Sequence, residues 1–242
     1  MGENGPVCIN DMSCMSCGHC VSVCPTGALD NSRCPYAEMD PIPMDVLDSK
    51  TAYNFLRMRR SIRNFTPELV SEEKMTQLLD IARYAPTAAN SQGLYYIVVS
   101  DRDLIKKITD CVADWMQEEI DNDSPRRRYF RKVLEVYRDR GVDIIGRNAK
   151  QLVFALARRL NVTGVSNCEQ AWAYVELYAP TLGLGTTIMG FIETCARADY
   201  APLRELLKVP QKQVIVGTLL VGYPKYKYNR LVNRQHLKVE FR

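Results

Sequence analysis

Cys14-Met15-Ser16-Cys17-Gly18-His19-Cys20-Val21-Ser22-Val23-Cys24-Pro25 divides the chain in two. Its spacing, C-x2-C-x2-C-x3-C-P, brings closely set thiolates around one face of a cubane iron-sulfur cluster. Gly18 lets the backbone turn between the second and third sulfurs without a Cβ in the way. Zinc sites show two separated C-x2-C pairs and disulfide frameworks belong to short secreted chains, so neither fits the run. An electron carrier needs a redox partner, and the remaining chain should hold a second centre or its docking site.

Outward from that run, the 242 residues suffice for one full domain with a small appendage. Six of nine cysteines (Cys8, Cys14, Cys17, Cys20, Cys24, Cys34) fall in the first 34 residues. Cys111, Cys168 and Cys195 sit in apolar contexts and read as small buried hydrophobes. The net charge of +4 is unevenly spread: residues 1 to 48 carry seven acids and one base, so the remainder is formally +10. Such a head could dock on a basic body, or the charges could simply be solvated. The sequence shows no signal segment, and the long apolar uncharged stretch Leu177 to Ile192 is broken by Pro180 and three glycines. The expectation is a cytoplasmic protein that spans no membrane.

Asp40-Pro41-Ile42-Pro43 reads as an extended linker, which sets a boundary near residue 45 between a segment 1–45 and a domain 46–242. Beyond it the pattern predicts a helix from Ser49 to Met58, and a second capped by Ser71 with Met75, Leu78, Leu79 and Ala82 on one face. A buried strand is expected from Leu94 to Val99, a helix over 102–120, and another from Ser124-Pro125 to about Arg140. A strand at Leu152 to Ala157, a helix from about Cys168 ended by Pro180, a short helix at Pro202 to Leu207 and a strand at Val214 to Val221 complete the reading. Arg126-Arg127-Arg128 lacks any aromatic platform and is a solvated face, not a nucleic-acid surface.

Arg59, Arg60 and Arg63 gather beside Ser61 at the end of the first helix of this domain, and planar guanidinium forks suit phosphate. Gly183-Leu184-Gly185 does not complete a dinucleotide fingerprint, and there is no P-loop. With only His19 and His236, the sequence argues against a Ser-His-Asp triad or a His-rich metal site, and the chemistry is expected of a bound organic redox cofactor.

Four stretches taken together resemble a known family: Arg59 to Phe65, Ala85-Pro86-Thr87-Ala88-Ala89-Asn90-Ser91-Gln92, Leu182 to Thr186, and Gly222-Tyr223-Pro224 with its basic tail. Their order is similar to that of the FMN-dependent nitroreductases, and with the cysteine run, to the ferredoxin-fused branch. The resemblance implies an α+β fold with an antiparallel sheet flanked by helices, and a homodimer with two FMN sites at its interface. It implies that Arg59, Arg60, Ser61 and Arg63 hold the flavin, with Arg63 near the pyrimidine edge and Arg59 near the phosphate. It further places Pro86, Thr87, Ala88 and Asn90 from the partner subunit, Thr187, Ile188, Met189 and Gly190 against the isoalloxazine, and Arg234 or else Arg230 at the phosphate. The implied activity is reduction of nitroaromatics, quinones or similar small electron-poor acceptors, with NAD(P)H or reduced ferredoxin as donor and a 4Fe-4S cluster relaying electrons. Two other readings stay open: a flavin dehydrogenase or dehalogenase of one metabolite, and a non-catalytic electron-transfer or flavin-storage module.

The sequence departs from the fused branch in carrying one cysteine motif instead of two. In the two-motif arrangement the fourth cysteine of each run ligates the other cluster. Here Cys34, Cys8 or Cys24 could complete the set begun by Cys14, Cys17 and Cys20, and one cluster is expected.

Overall fold

The computed structural model describes residues 14–43 and 47–242; Cys8 and the residues at the expected boundary near 45 lie outside them. A four-stranded antiparallel sheet, order β1-β2-β4-β3, forms the centre, built from β1 (Tyr95–Val99), β2 (Gln151–Arg158), β3 (Gly185–Ile188) and β4 (Gln213–Gly222). The helices, in chain order, are α1 (His19–Ser22), α2 (Ser49–Met58), α3 (Glu72–Asp80), α4 (Arg102–Asp121), α5 (Arg127–Leu134), α6 (Gly164–Tyr178), α7 (Gly190–Arg197) and α8 (Ala201–Leu206). The expected α+β class with an antiparallel sheet flanked by helices is therefore present.

β2 is central and buried on both faces, so alternate residues feed two cores. Leu152, Phe154 and Leu156 face the layer of α4, α5, α7 and α8, while Val153, Ala155 and Ala157 face α3 and α6. A bulge at Ala155/Leu156 leaves Val216 of β4 unpaired, and the inward phase of β4 shifts there: Val216 and Leu219 both join the α6 side. Gly164 and Gly217 allow α6 to lie close on this face. A Cβ on Gly164 would stand 2.8 Å from the Ala157 Cβ, and one on Gly217 2.4 Å from Cys168 Sγ.

Several elements differ from expectation. β1 is an edge strand with Tyr95 57% and Val98 40% exposed, because among the described residues it pairs only with β2. α6 begins at Gly164, four residues before Cys168, since its glycine serves packing and not a turn. α5 begins at Arg127 and gives way after Leu134 to a π turn, Glu135–Asp139, in which Tyr137 Oη donates to Asp110 Oδ1 on α4 at 2.7 Å. β3 and α7 were not expected: four residues are too few to show a strand's alternation. The Ser71 cap is as read, with Ser71 Oγ accepting from Lys74 N at 3.3 Å. Cys111, Cys168 and Cys195 are all buried.

Candidate functional site

Residues 59–66 run from the end of α2 along the outer edge of the sheet. Ser61 bridges Thr186, Ile62 N donates to Thr186 O at 2.8 Å, Phe65 bridges Pro224, and Thr66 N donates to Tyr223 O at 2.8 Å. Extended backbone alternates its side chains, so Ile62 turns inward while Arg63 is exposed. Gly185 and Gly222 make the close approach possible: a Cβ on either would stand 2.6 Å from Ile62 Cγ1 or 2.9 Å from Phe65 Cδ1. Three of the four stretches noted in the sequence are thus one packed unit.

That unit presents a cavity of about 320 Å³ lined by Arg59, Arg60, Ser61, Arg63, Tyr228, Val232 and Arg234. Of its four arginines only Arg59 makes an ion pair among the described residues, with Glu176 of α6 at 3.5 Å. Burial pushes the Glu176 carboxyl above the usual range, and Arg59 opposes that rise. Arg60 lies over the Tyr228 ring with its guanidinium carbon 4.6 Å from the centroid, and donates to the Arg230 carbonyl. Arg60, Arg63 and Arg234 therefore line one cavity without an ion-pair partner among the described residues, and the like charges gathered there favour an anion. The chemistry of this donor set, guanidinium forks beside the Ser61 hydroxyl, fits the phosphate of a flavin mononucleotide.

Arg230 is placed differently from Arg234. It lines the adjoining, larger cavity of about 500 Å³ with Arg60, Ile62, Glu176, Gly185 and Tyr226, so the two expected phosphate candidates are separated and Arg234 is the one in the arginine cavity. Tyr228 and Val232 escaped the sequence reading; an aromatic amid the basic tail was the available signal.

Of the stretch 187–190, Thr187 and Met189 are buried, while Ile188 is 44% exposed and a Cβ on Gly190 would meet nothing within 4 Å. Ile188 and Gly190 thus form the surface this stretch offers a ligand. Thr87 lines a separate cavity of about 390 Å³ with Leu79, Arg83, Gln92 and Tyr96, which shares no residue with the cavity of Arg59, Arg60, Arg63 and Arg234. Asn90 spends its side chain elsewhere: its amide nitrogen donates to Met15 O at 3.2 Å and Ser16 O at 3.0 Å, and its oxygen accepts from Gln92 Nε2 at 3.1 Å. No local sequence pattern signals Asn167, which is 3% exposed on α6 and accepts from Ala88 N at 3.2 Å.

In the cysteine segment, α1 starts one residue after Gly18, which has φ +72°. A Cβ on Gly18 would stand 2.6 Å from Cys34 Sγ, so the Cys34 thiol lies directly on the loop between Cys17 and Cys20. Cys14 Sγ accepts from Asn31 Nδ2 at 3.7 Å, and Cys24 Sγ lies 3.6 Å from Thr26 Oγ1. Hydrogen bonding from Thr26 brings the Cys24 thiol down to about 7, and the backbone around Ser16 lowers Cys14. Among the described residues no three His, Cys, Asp or Glu side chains converge as one metal ion requires. A cubane has irons at separate corners, and an all-thiol set carried on one short segment suits it.

Residues 56–223 match the nitroreductase family, and residues 7–30 match the 4Fe-4S binding domain, a match that includes Cys8 and ends before Cys34. Nitroreductase NfnB of Mycolicibacterium smegmatis is 27% identical over 197 residues, covering 72% of this chain and 83% of that protein. An FMN reductase [NAD(P)H] of Bacillus subtilis is 27% identical over 174 residues, covering 68% of this chain and 62% of its own length. A solved nitroreductase with bound FMN from Bacteroides fragilis has the same fold, with a TM-score of 0.60 at 17% identity over 77% of this chain and 94% of that one.

Proposed function

We propose that this chain, which belongs to the nitroreductase family, is an FMN-dependent oxidoreductase that passes electrons to nitroaromatic, quinone or similar electron-poor small molecules. The observation that carries the reading is the arginine cavity, where Arg60, Arg63 and Arg234 make no ion pair among the described residues. Bound FMN would supply hydride and electron chemistry at its isoalloxazine ring. The chain's residues would do the rest. Arg234, Arg59 and Arg60 would hold the phosphate, the Ser61 hydroxyl would meet the ribityl chain, and Arg63 would face the pyrimidine edge, where a fixed cation favours the reduced, anionic ring. Ile188 and Gly190 would supply the surface along the ring.

A homodimer would complete the site. Pro86, Thr87 and Ala88 stand apart from the arginine cavity of their own chain and would serve the partner's flavin. The apolar residues Tyr53, Leu56 and Met58 of α2 are each more than half exposed, and so are Leu237, Val239 and Phe241 of the tail. Such a surface is covered at low cost by a second copy. The segment 1–45 would hold one 4Fe-4S cluster on Cys14, Cys17 and Cys20 with Cys34, Cys24 or Cys8 as the fourth ligand, and the domain 46–242 the flavin. The cluster would relay electrons between the flavin and a donor such as reduced ferredoxin, with NAD(P)H the other candidate donor. Among the described residues no helix is long and apolar enough to cross a membrane; with its free thiols, the chain fits a reducing cytoplasm.

The test is the visible spectrum of anaerobically purified protein before and after NADH, NADPH and dithionite, with its mass in solution. Flavin bands overlaid on iron-sulfur absorbance, bleached by a donor, in a particle of twice the chain mass, are expected. A protein that neither retains nor takes up FMN overturns the reading.

A further inference from the structure

The hydrogen bonds that join residues 14–43 to the remaining described residues come from one side chain, that of Asn90. Its amide nitrogen bonds the carbonyls of Met15 and Ser16, the two residues between the first two cysteines of the run. From this geometry we infer that Asn90 is a positioning residue for electron transfer: it clasps the cysteine loop onto the segment Pro86–Gln92. The inference rests on the functional reading above, because that segment is the one proposed to flank the partner's flavin.

The clasp is built, not incidental. Gln92 Nε2 donates to Asn90 Oδ1 and so fixes which end of the amide faces the cysteine loop. Gln92 N in turn donates to Thr87 Oγ1 at 3.1 Å. Ala89, Asn90 and Gln92 all have positive φ, between 45° and 52°, and Ser16 on the other side of the contact has φ 52°. Non-glycine residues in that region are strained and persist only where surroundings over-determine them. The surroundings here are Asn167, which is buried, accepts from Ala88 N and donates to Ser91 Oγ at 3.3 Å. The segment is thereby tied to α6, and through Asn90 the cysteine loop is tied to the segment. A cluster held on that loop would move with the wall of the flavin site instead of swinging on the Asp40–Pro43 linker.

The experiment compares the full-length wild type with Asn90→Asp and Asn90→Gly, both of which accept positive φ and neither of which has a donor for the two carbonyls. Iron and flavin contents are measured first. Anaerobic stopped flow then follows flavin reduction by methyl viologen radical cation and, separately, by NADH or NADPH. Two viologen cations each lose one electron, the flavin gains both with protons from water, and the cluster is the one-electron relay; the nicotinamide delivers its hydride to the flavin without the cluster. The expected result is a viologen-to-nicotinamide rate ratio at least tenfold lower in both variants, with amide exchange in residues 14–24 at least tenfold faster. A merely structural role, or a direct flavin contact, would depress both rates together, and an unchanged ratio overturns the inference. Unchanged exchange in residues 14–24 also overturns it, and this readout stands whether or not the cluster is loaded. A wild type without flavin overturns the functional reading instead, so the two failures are distinct.

Discussion

Gly185 lies so close beneath Ile62 that a Cβ on it would stand 2.6 Å from Ile62 Cγ1 and 2.8 Å from Ile62 Cβ. Ile62 sits between Ser61 and Arg63, so the depth at which it packs sets where both side chains point. Gly185→Ala is expected to destabilise the fold by about 1–3 kcal/mol, the usual cost of overpacking. The same change should lower FMN retention, because the displaced segment carries the arginines. Urea unfolding and flavin content measure the two effects. The pair should also be coupled: Gly185→Ala with Ile62→Ala should cost less than the sum of the single changes. Strict additivity would mean that the arginine segment is placed by other contacts.

Arg234 reaches the arginine cavity from the tail, where a phosphate is the expected ligand. Arg234→Ala should weaken FMN binding by about 1.5–3 kcal/mol, the range for a charge-assisted hydrogen bond, or roughly 10- to 150-fold in Kd. Riboflavin, which lacks the phosphate, should bind wild type and variant alike. Arg63→Ala is expected to weaken both ligands, since its place is at the ring. Fluorescence titration with the two flavins decides between these assignments, and an equal loss of both on Arg234→Ala would remove Arg234 from the phosphate.

The elements read correctly from sequence are those whose signals are local. β2 and β4 are long apolar runs, α3 has an apolar face and the Ser71 cap, and α2 ends at the arginine cluster. What was missed depends on distant partners. Whether β1 is central or at an edge is decided by β2 having β4 on its other side, which Tyr95–Val99 does not encode. Asn90 looks like a flavin-loop residue, yet its amide is taken by carbonyls 74 and 75 positions away. Separation of Arg230 from Arg234 depends on the path of a tail without regular structure, where no periodicity guides the reading.

Cys111, Cys168 and Cys195 should be inert thiols. Burial raises Cys111 to about 11 and Cys168 to about 12, and pushes Cys195 in the same direction. The thiolate is the reactive form, so at about pH 8 almost none is present at these positions. Iodoacetamide added to the folded protein should leave all three unmodified by peptide mass spectrometry, and full labelling should appear only after unfolding. Labelling of Cys168 in the folded protein would mean that the α6 face of the sheet opens readily.

Glu176 gives a pH dependence whose sign follows from its burial. Desolvation raises its carboxyl above the ordinary glutamate range, and the Arg59 guanidinium only partly opposes this. A carboxyl that is raised on folding takes up protons as the chain folds. Its contribution is fully present below the unfolded value and is lost as pH rises through the folded one. Glu176→Gln cannot titrate, so its stability relative to wild type should improve as pH rises from about 4 to about 7, a range that begins near the unfolded glutamate value. Chemical unfolding of both proteins across that range measures the difference. If wild type gains on the variant instead, attraction to Arg59 outweighs burial, and the ion pair rather than the cavity's appetite for an anion holds Arg59 in place.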